Sequence, residues 1–179
     1  MFLQTRHGEA FDRITQVCRD VFPELEDVFT EPTRQAIVTV ASTEEYLSRP
    51  VSLWQMSDGE LAFIALLSLI LAPDELVGSL NCVEEPENHL HPKLLETLIE
   101  LLKQEQAKRA PAASSQIIAT THSPHLVDKL ALEELVVFEK SQGATVLRFP
   151  KDRAHLRELL EREEVGLGDL AFSGALAGA

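Results

Sequence analysis

Apolar residues recur at helical spacing from Ala10 to Asp20, through Phe11, Ile14, Val17 and Cys18 with Val21 following, and Pro23 stops the pattern. Gln35 to Ser42 changes to alternation rich in Val and Ile, which predicts a strand. A second strand is expected over Pro50 to Gln55. Asp58 to about Ala72 is apolar on nearly every face, so it reads as a central helix ended by Pro73-Asp74. Leu80 to Glu84 is a short strand, and Pro92 to about Lys108 an amphipathic helix facing the core with Leu94, Leu95, Leu98, Leu101 and Leu102. A small-residue loop, Ala110 to Ser115, leads to a strand at Gln116 to Thr120 and a helix from Pro124 to about Leu130. Leu135 to Glu139 and Thr145 to Phe149 flank Gln142-Gly143 as a hairpin. Asp152 to Glu164 is a charged helix, and Gly166 to Ala179 a tail of small residues.

Strands alternating with crossover helices predict an α/β fold with a parallel sheet and flanking helices. In such sheets ligands gather beyond the carboxyl ends of the strands. Glu84-Glu85 and Thr121-His122 stand at those ends of two strands joined by one helix.

Composition narrows the function class. At 179 residues the chain suits one domain with a real core, and it shows no internal repeat or linker. A net charge of −13 disfavours a large sequence-independent nucleic-acid contact, leaving nucleic acid to a partner or to a region outside this chain. Cys18 and Cys82 are isolated, which suits a reducing cytosol. The longest apolar run, Leu61 to Ala72, is too short to span a bilayer, so a cytoplasmic protein without a membrane partner is expected.

Three motifs carry chemistry. Glu84-Glu85 ends an apolar run, with Glu87 close behind and turn residues Pro86, Asn88 and Pro92 around it. Desolvating paired carboxylates is costly. One could hold hydrated Mg²⁺ and the next orient or deprotonate a water; the bland reading is a solvated acidic loop. Ser57-Asp58-Gly59-Glu60 has the spacing of a capping box, and also of a phosphate-binding helix start at which Gly59 permits close backbone approach. His122 precedes Ser123-Pro124, itself a helix start; the imidazole either bonds a neighbouring backbone group or contacts a terminal phosphate. A competing reading takes His89, His91, His122 and His125 as a metal site for hydrolysis, against which stands the lack of helical i, i+4 spacing.

In this order the motifs resemble the C-terminal half of an ABC-type ATPase domain, and especially soluble ATPases of the AAA-15/AAA-21 and OLD-like type, related to SMC and recombination-repair ATPases. The resemblance implies a P-loop NTPase-like fold represented by its C-terminal lobe only. It makes residues 1–179 a single partial domain: 1–50 lead to the signature helix, 51–140 hold the motif core, and 141–179 form the C-terminal hairpin, helix and tail. It casts Glu85 as catalytic glutamate, Glu84 as Walker B carboxylate holding Mg²⁺ through water, and His122 as switch histidine. Ser57, Gly59 and Glu60 become the signature facing a partner's ATP, and Asn88 to His91 the D-loop. Glu84 stands where the wider superfamily has Asp. None of the eight glycines precedes a lysine, so the 179 residues contain no Gly-x-x-x-x-Gly-Lys-Ser/Thr. The resemblance therefore implies MgATP hydrolysis at a head-to-tail dimer interface, completed by a Walker A lobe in a homodimer or partner ATPase. Its alternative is a catalytically silent interaction module that retains the dimer surface.

Overall fold

The computed structural model describes residues 6–32, 37–73, 75–108, 116–150, 154–161 and 166–176. The chain divides into two units, Met1–Ala119 and Thr120–Ala179.

The first unit opens with helix α1, Gly8–Val21, as the spacing predicts. Strands β1 (Leu25–Pro32), β2 (Val38–Glu44) and β3 (Val51–Ser52) follow as an antiparallel sheet in that order. Two expectations need correction. β1 has no counterpart in the sequence reading, because an irregularity between Leu25 and Asp27 breaks its alternation. The second expected strand stops after Ser52: the Gln55 carboxamide oxygen accepts from the Ser52 N–H at 3.2 Å and hydroxyl at 3.1 Å, folding Leu53–Gln55 into a 3₁₀ turn. Gln35, Ala36, Asp74 and the loop Ala110 to Ser115 lie outside the described residues.

Helix α2, Asp58–Leu71, packs against α1 and against α3, Pro92–Lys108. Neighbours on two sides explain why it is apolar nearly all round. Phe63 is fully buried and meets Phe22 edge-on, with centroids 5.4 Å apart. Ile14, Cys18, Val28, Leu67, Leu95 and Leu98 are buried in the same unit. β4 (Leu80–Glu84) precedes α3 and β5 (Gln116–Thr120) follows it, and the two strands pair with each other. The Gln116 N–H donates to the Ser79 carbonyl at 2.9 Å. That bond joins the starts of both strands, so they run parallel, with Leu80 beside Gln116 and Cys82 beside Ile118.

An ion pair links α1 to α3 in this unit. Arg13 of α1 reaches Glu105 of α3 at 2.5 Å, and Lys108 bonds the same carboxylate oxygen at 2.8 Å. The Arg13 hydrogen bond, with help from Lys108, lowers the Glu105 carboxyl to about 2 and raises the Arg13 guanidinium. A depressed carboxyl contributes stability that is complete above its unfolded value and is lost as pH falls through the folded one. Glu105→Gln is therefore expected to cost roughly 1 kcal/mol at neutral pH, a surface-scale value because Arg13 is well exposed. Urea titrations at several pH values check this: the wild-type advantage should fade between the ordinary carboxyl value of 4.5 and about 2.

The second unit contains α4 (Pro124–Val127), a 3₁₀ turn at Leu132–Glu134, hairpin strands β6 (Val137–Ser141) and β7 (Ala144–Arg148), α5 (Ala154–Glu161) and α6 (Leu167–Phe172). The hairpin is as expected, with Gln142 and Gly143 both at positive φ in the turn. Val127, Leu132, Leu156, Leu167, Leu170 and Leu176 form its core. Here α4 ends sooner than its pattern suggests, and the small-residue tail contains a helix. The tail folds because the Gly168 N–H donates to the Asp128 carboxylate at 2.6 Å, capping α6 from 40 residues away. A Cβ at Gly168 would stand 2.7 Å from that carboxylate, so glycine is what lets α6 dock on α4. The proposed charged helix is present over Ala154–Glu161, while Asp152 and residues 162–164 lie outside the described residues.

Candidate functional site

The acidic turn is built by the end of β4 and the start of α3. Glu84, the last residue of β4, is exposed. Glu85 adopts φ 43, a left-handed backbone that favours glycine or asparagine. Two bonds hold it there: the Asn88 N–H donates to the Glu85 carbonyl at 2.9 Å, and the Asn88 amide to the Glu85 carboxylate at 2.7 Å. His89 is also left-handed, at φ 69, and the Leu90 N–H closes the turn on the Glu87 carbonyl at 3.2 Å. Strained non-glycine backbone recurs where function requires it, and two such residues occur within five positions here. No local sequence signal announced either one.

His91 starts α3. Its Nδ1 accepts the Lys93 N–H at 3.2 Å and its carbonyl accepts those of Leu94 and Leu95. With Pro92 as first helical residue this is an N-cap, so Nδ1 is the unprotonated nitrogen. The histidine expected in the D-loop thus holds that loop to its helix.

Ser57-Asp58-Gly59-Glu60 forms the complete capping box of α2. The Ser57 hydroxyl accepts the Glu60 N–H at 3.2 Å and the Glu60 carboxylate accepts the Ser57 N–H at 2.8 Å. The structural role is realised, and the exposed Ser57 hydroxyl retains its proton to donate outward. This helix start meets the acidic turn. A Cβ on Gly59 would lie 2.8 Å from the His89 carbonyl, and Asp58 stands 4.0 Å from His89 Nδ1. Two of the three motifs therefore touch within one chain, a contact that the sequence spacing did not reveal. Gly59→Ala is expected to push the turns apart and cost about 1–3 kcal/mol, read by denaturant unfolding. A change below a few tenths would show that the contact does not constrain the turn.

In the second unit, exposed His122 lies between β5 and α4. The Thr121 hydroxyl accepts the Ser123 N–H at 2.9 Å, and Ser123 caps α4 by accepting the Leu126 N–H at 3.4 Å. The helix start read at Ser123-Pro124 is thus present.

Mg²⁺ keeps several waters and needs only one or two carboxylates from a protein, a requirement that an exposed carboxylate such as Glu84 meets. Among the described residues no group of three His, Cys, Asp or Glu side chains could hold a metal, which leaves the histidine metal site without a cluster. Nor is any described helix long and apolar enough to cross a membrane.

Known proteins bear on this arrangement. The Septu protein PtuA of Bacillus thuringiensis is 39% identical over 64 residues, a match covering 36% of this chain and 15% of that relative. A solved chain from work on ATP-driven dimerization and DNA-stimulated activation of SMC ATPases superposes with TM-score 0.59 at 14% identity, covering 92% of this chain and 96% of that one. An SMC head bound to the C-terminal winged-helix domain of ScpA gives TM-score 0.57 at 13% identity, covering 77% and 41%. The fold is thus that of an SMC ATPase head, a mixed α/β P-loop NTPase fold. A family model described as "AAA domain, putative AbiEii toxin, Type IV TA system" matches residues 3–128, well over half of the sequence, and the chain belongs to this AAA_21 family.

Proposed function

We propose that this chain is the C-terminal part of an ABC-type ATPase domain, hydrolysing ATP at a head-to-tail interface once a Walker A lobe is supplied. The observation that carries the reading is the acidic turn. Glu85 is held left-handed with its carboxylate fixed by Asn88, and the turn rests on Gly59 at the start of α2. Ordinary packing does not call for that combination.

In this reading Glu85 accepts the proton of a water as its oxygen bonds to the γ-phosphorus, and ADP leaves with the bridging oxygen. Glu84 would hold a hydrated Mg²⁺ through water, and that ion would supply charge neutralisation at the phosphates. His122 donates to a γ-phosphate oxygen. Ser57, Gly59 and Glu60 close the partner's site: the Ser57 proton and the α2 N-terminus face its phosphates, while Glu60 keeps Ser57 in place. Asn88 and His91 shape the D-loop, Asn88 through Glu85 and His91 through α3.

We place the protein in the cytosol, with residues 1–179 as a single partial domain and the partner a second copy or another ATPase lobe. Any nucleic acid engages through that partner, given the net charge of −13.

Equilibrium binding of radiolabelled ATP with Mg²⁺ tests the reading on the isolated chain and on the assembly purified through a tagged copy from its own cells. The assembly should bind and hydrolyse ATP, and the isolated chain should do neither. An assembly that does neither leaves the silent interaction module in its place.

A further inference from the structure

We propose that Trp54 is a nucleobase-stacking residue: it receives the purine ring of the partner-held triphosphate while Ser57 and the start of α2 meet the phosphates. The inference rests on the ATPase reading and adds to it the residue that recognises the base. Trp54 is the chain's single tryptophan and stands 82% exposed, in the turn Leu53–Gln55 just ahead of the capping box. An indole carries a large apolar area that ordinarily seeks cover. Its backbone is firmly held. The Gln55 carboxamide oxygen accepts from both the N–H and the hydroxyl of Ser52. The Met56 N–H donates to the Ser52 carbonyl at 3.3 Å, and the turn packs on β2. Trp54 is thus presented from a fixed turn, and little ordering is needed when a flat ring arrives.

Reach, area and charge select the occupant. Met56 and Ser57 are both extended, so the chain runs from Trp54 to Ser57 without curling back. Three residues span at most about 10 Å. The ribose and triphosphate of one nucleotide bridge such a distance, so a terminal phosphate at Ser57 leaves the base within reach of the indole. The exposed apolar area is one ring: Leu53 and Met56 beside it are half-buried and Gln55 is polar. That is the footprint of a base, far short of the roughly 800 Å² that a protein partner covers on one side. Asp58 and Glu60 border the helix start in a chain at −13, which opposes a further anionic group here. A purine is neutral, and its stacking on an aromatic face needs no charge.

Steady-state hydrolysis by the native assembly tests the stacking, with tagged Trp54→Ala and Trp54→Phe chains expressed in place of the wild type. Both changes fall at an exposed position and should leave the fold and the assembly intact, as circular dichroism and size-exclusion chromatography read. Trp54→Ala should raise KM for ATP by roughly 5- to 150-fold, the loss expected for one base–aromatic stack, with kcat nearly unchanged. Trp54→Phe keeps an aromatic face and should recover most of that loss. Equilibrium binding of ribose 5-triphosphate, which carries the phosphates and sugar without a base, should be the same in all three assemblies. The proposal is overturned by an unchanged KM in Trp54→Ala, by a Phe variant no better than Ala, or by equal weakening of ribose 5-triphosphate. Dissociation of the Trp54→Ala assembly also overturns it, by marking the ring as a protein contact. A wild-type assembly that hydrolyses ATP beside an Ala variant of unchanged KM removes the stacking role and leaves the ATPase reading standing. A wild-type assembly that binds no ATP removes both.

Discussion

Replacing Phe63 by alanine is expected to remove about 3–5 kcal/mol of folding stability, a large share of the roughly 5–15 kcal/mol that holds a typical domain together. Phe63 is fully buried near the first turn of α2 and lies edge-on to Phe22, just beyond the end of α1. The loss combines the transfer energy of the ring, the cavity left between helices and the aromatic contact. Phe63→Leu keeps most of the volume and should cost less than about 1.5 kcal/mol. Urea unfolding followed by far-ultraviolet circular dichroism gives both values. Hydrogen exchange should place the weakening in α1, β1 and α2. Equal costs for the two variants would show that the site collapses around the smaller residue and that the ring is not the keystone of this unit. Because α2 begins at the Ser57–Glu60 capping box, the loss also loosens the candidate signature.

The same helix shows what could be read from sequence alone. An apolar residue on nearly every face predicted a central position, and α1 and α3 do pack against it. β4 and α3 were legible because Pro86 and Pro92 punctuate continuous apolar patterns, and β5 because its apolar run stands just before the Ser123-Pro124 helix start. Elements that depend on distant partners were not legible. β1 hides behind an irregular register, and α6 depends on Asp128, which lies 40 residues earlier. The site divides in the same way. Motif identity and order are local, so Ser57, Glu84, Glu85 and His122 could be named. The left-handed backbone of Glu85 and His89 is imposed by Asn88, by the cap on α3 and by the meeting with Gly59. Residue preference alone argues against that conformation at glutamate, so pattern reading could not find it there.

On the proposed ATPase reading, Glu85→Gln in the assembly is expected to lower kcat by about 10²–10⁴-fold while ATP binding is retained. The substitution is nearly isosteric, and its amide oxygen still accepts from Asn88, so the turn should persist; only the capacity to take a proton is lost. Single-turnover hydrolysis together with ATP affinity separates the two effects. Wild-type turnover by this variant would sink the assignment of Glu85 as the base. Glu85→Gly sharpens the test by setting stability against activity. Glycine accepts φ 43 without the cost of about 1 kcal/mol carried by other residues, so folding stability should hold or rise although the Asn88 contact is lost. Hydrolysis should nevertheless disappear. A residue retained for packing would not behave this way: its removal would cost stability first, and activity only as a consequence. Opposite responses at one position are what a strained catalytic carboxylate requires.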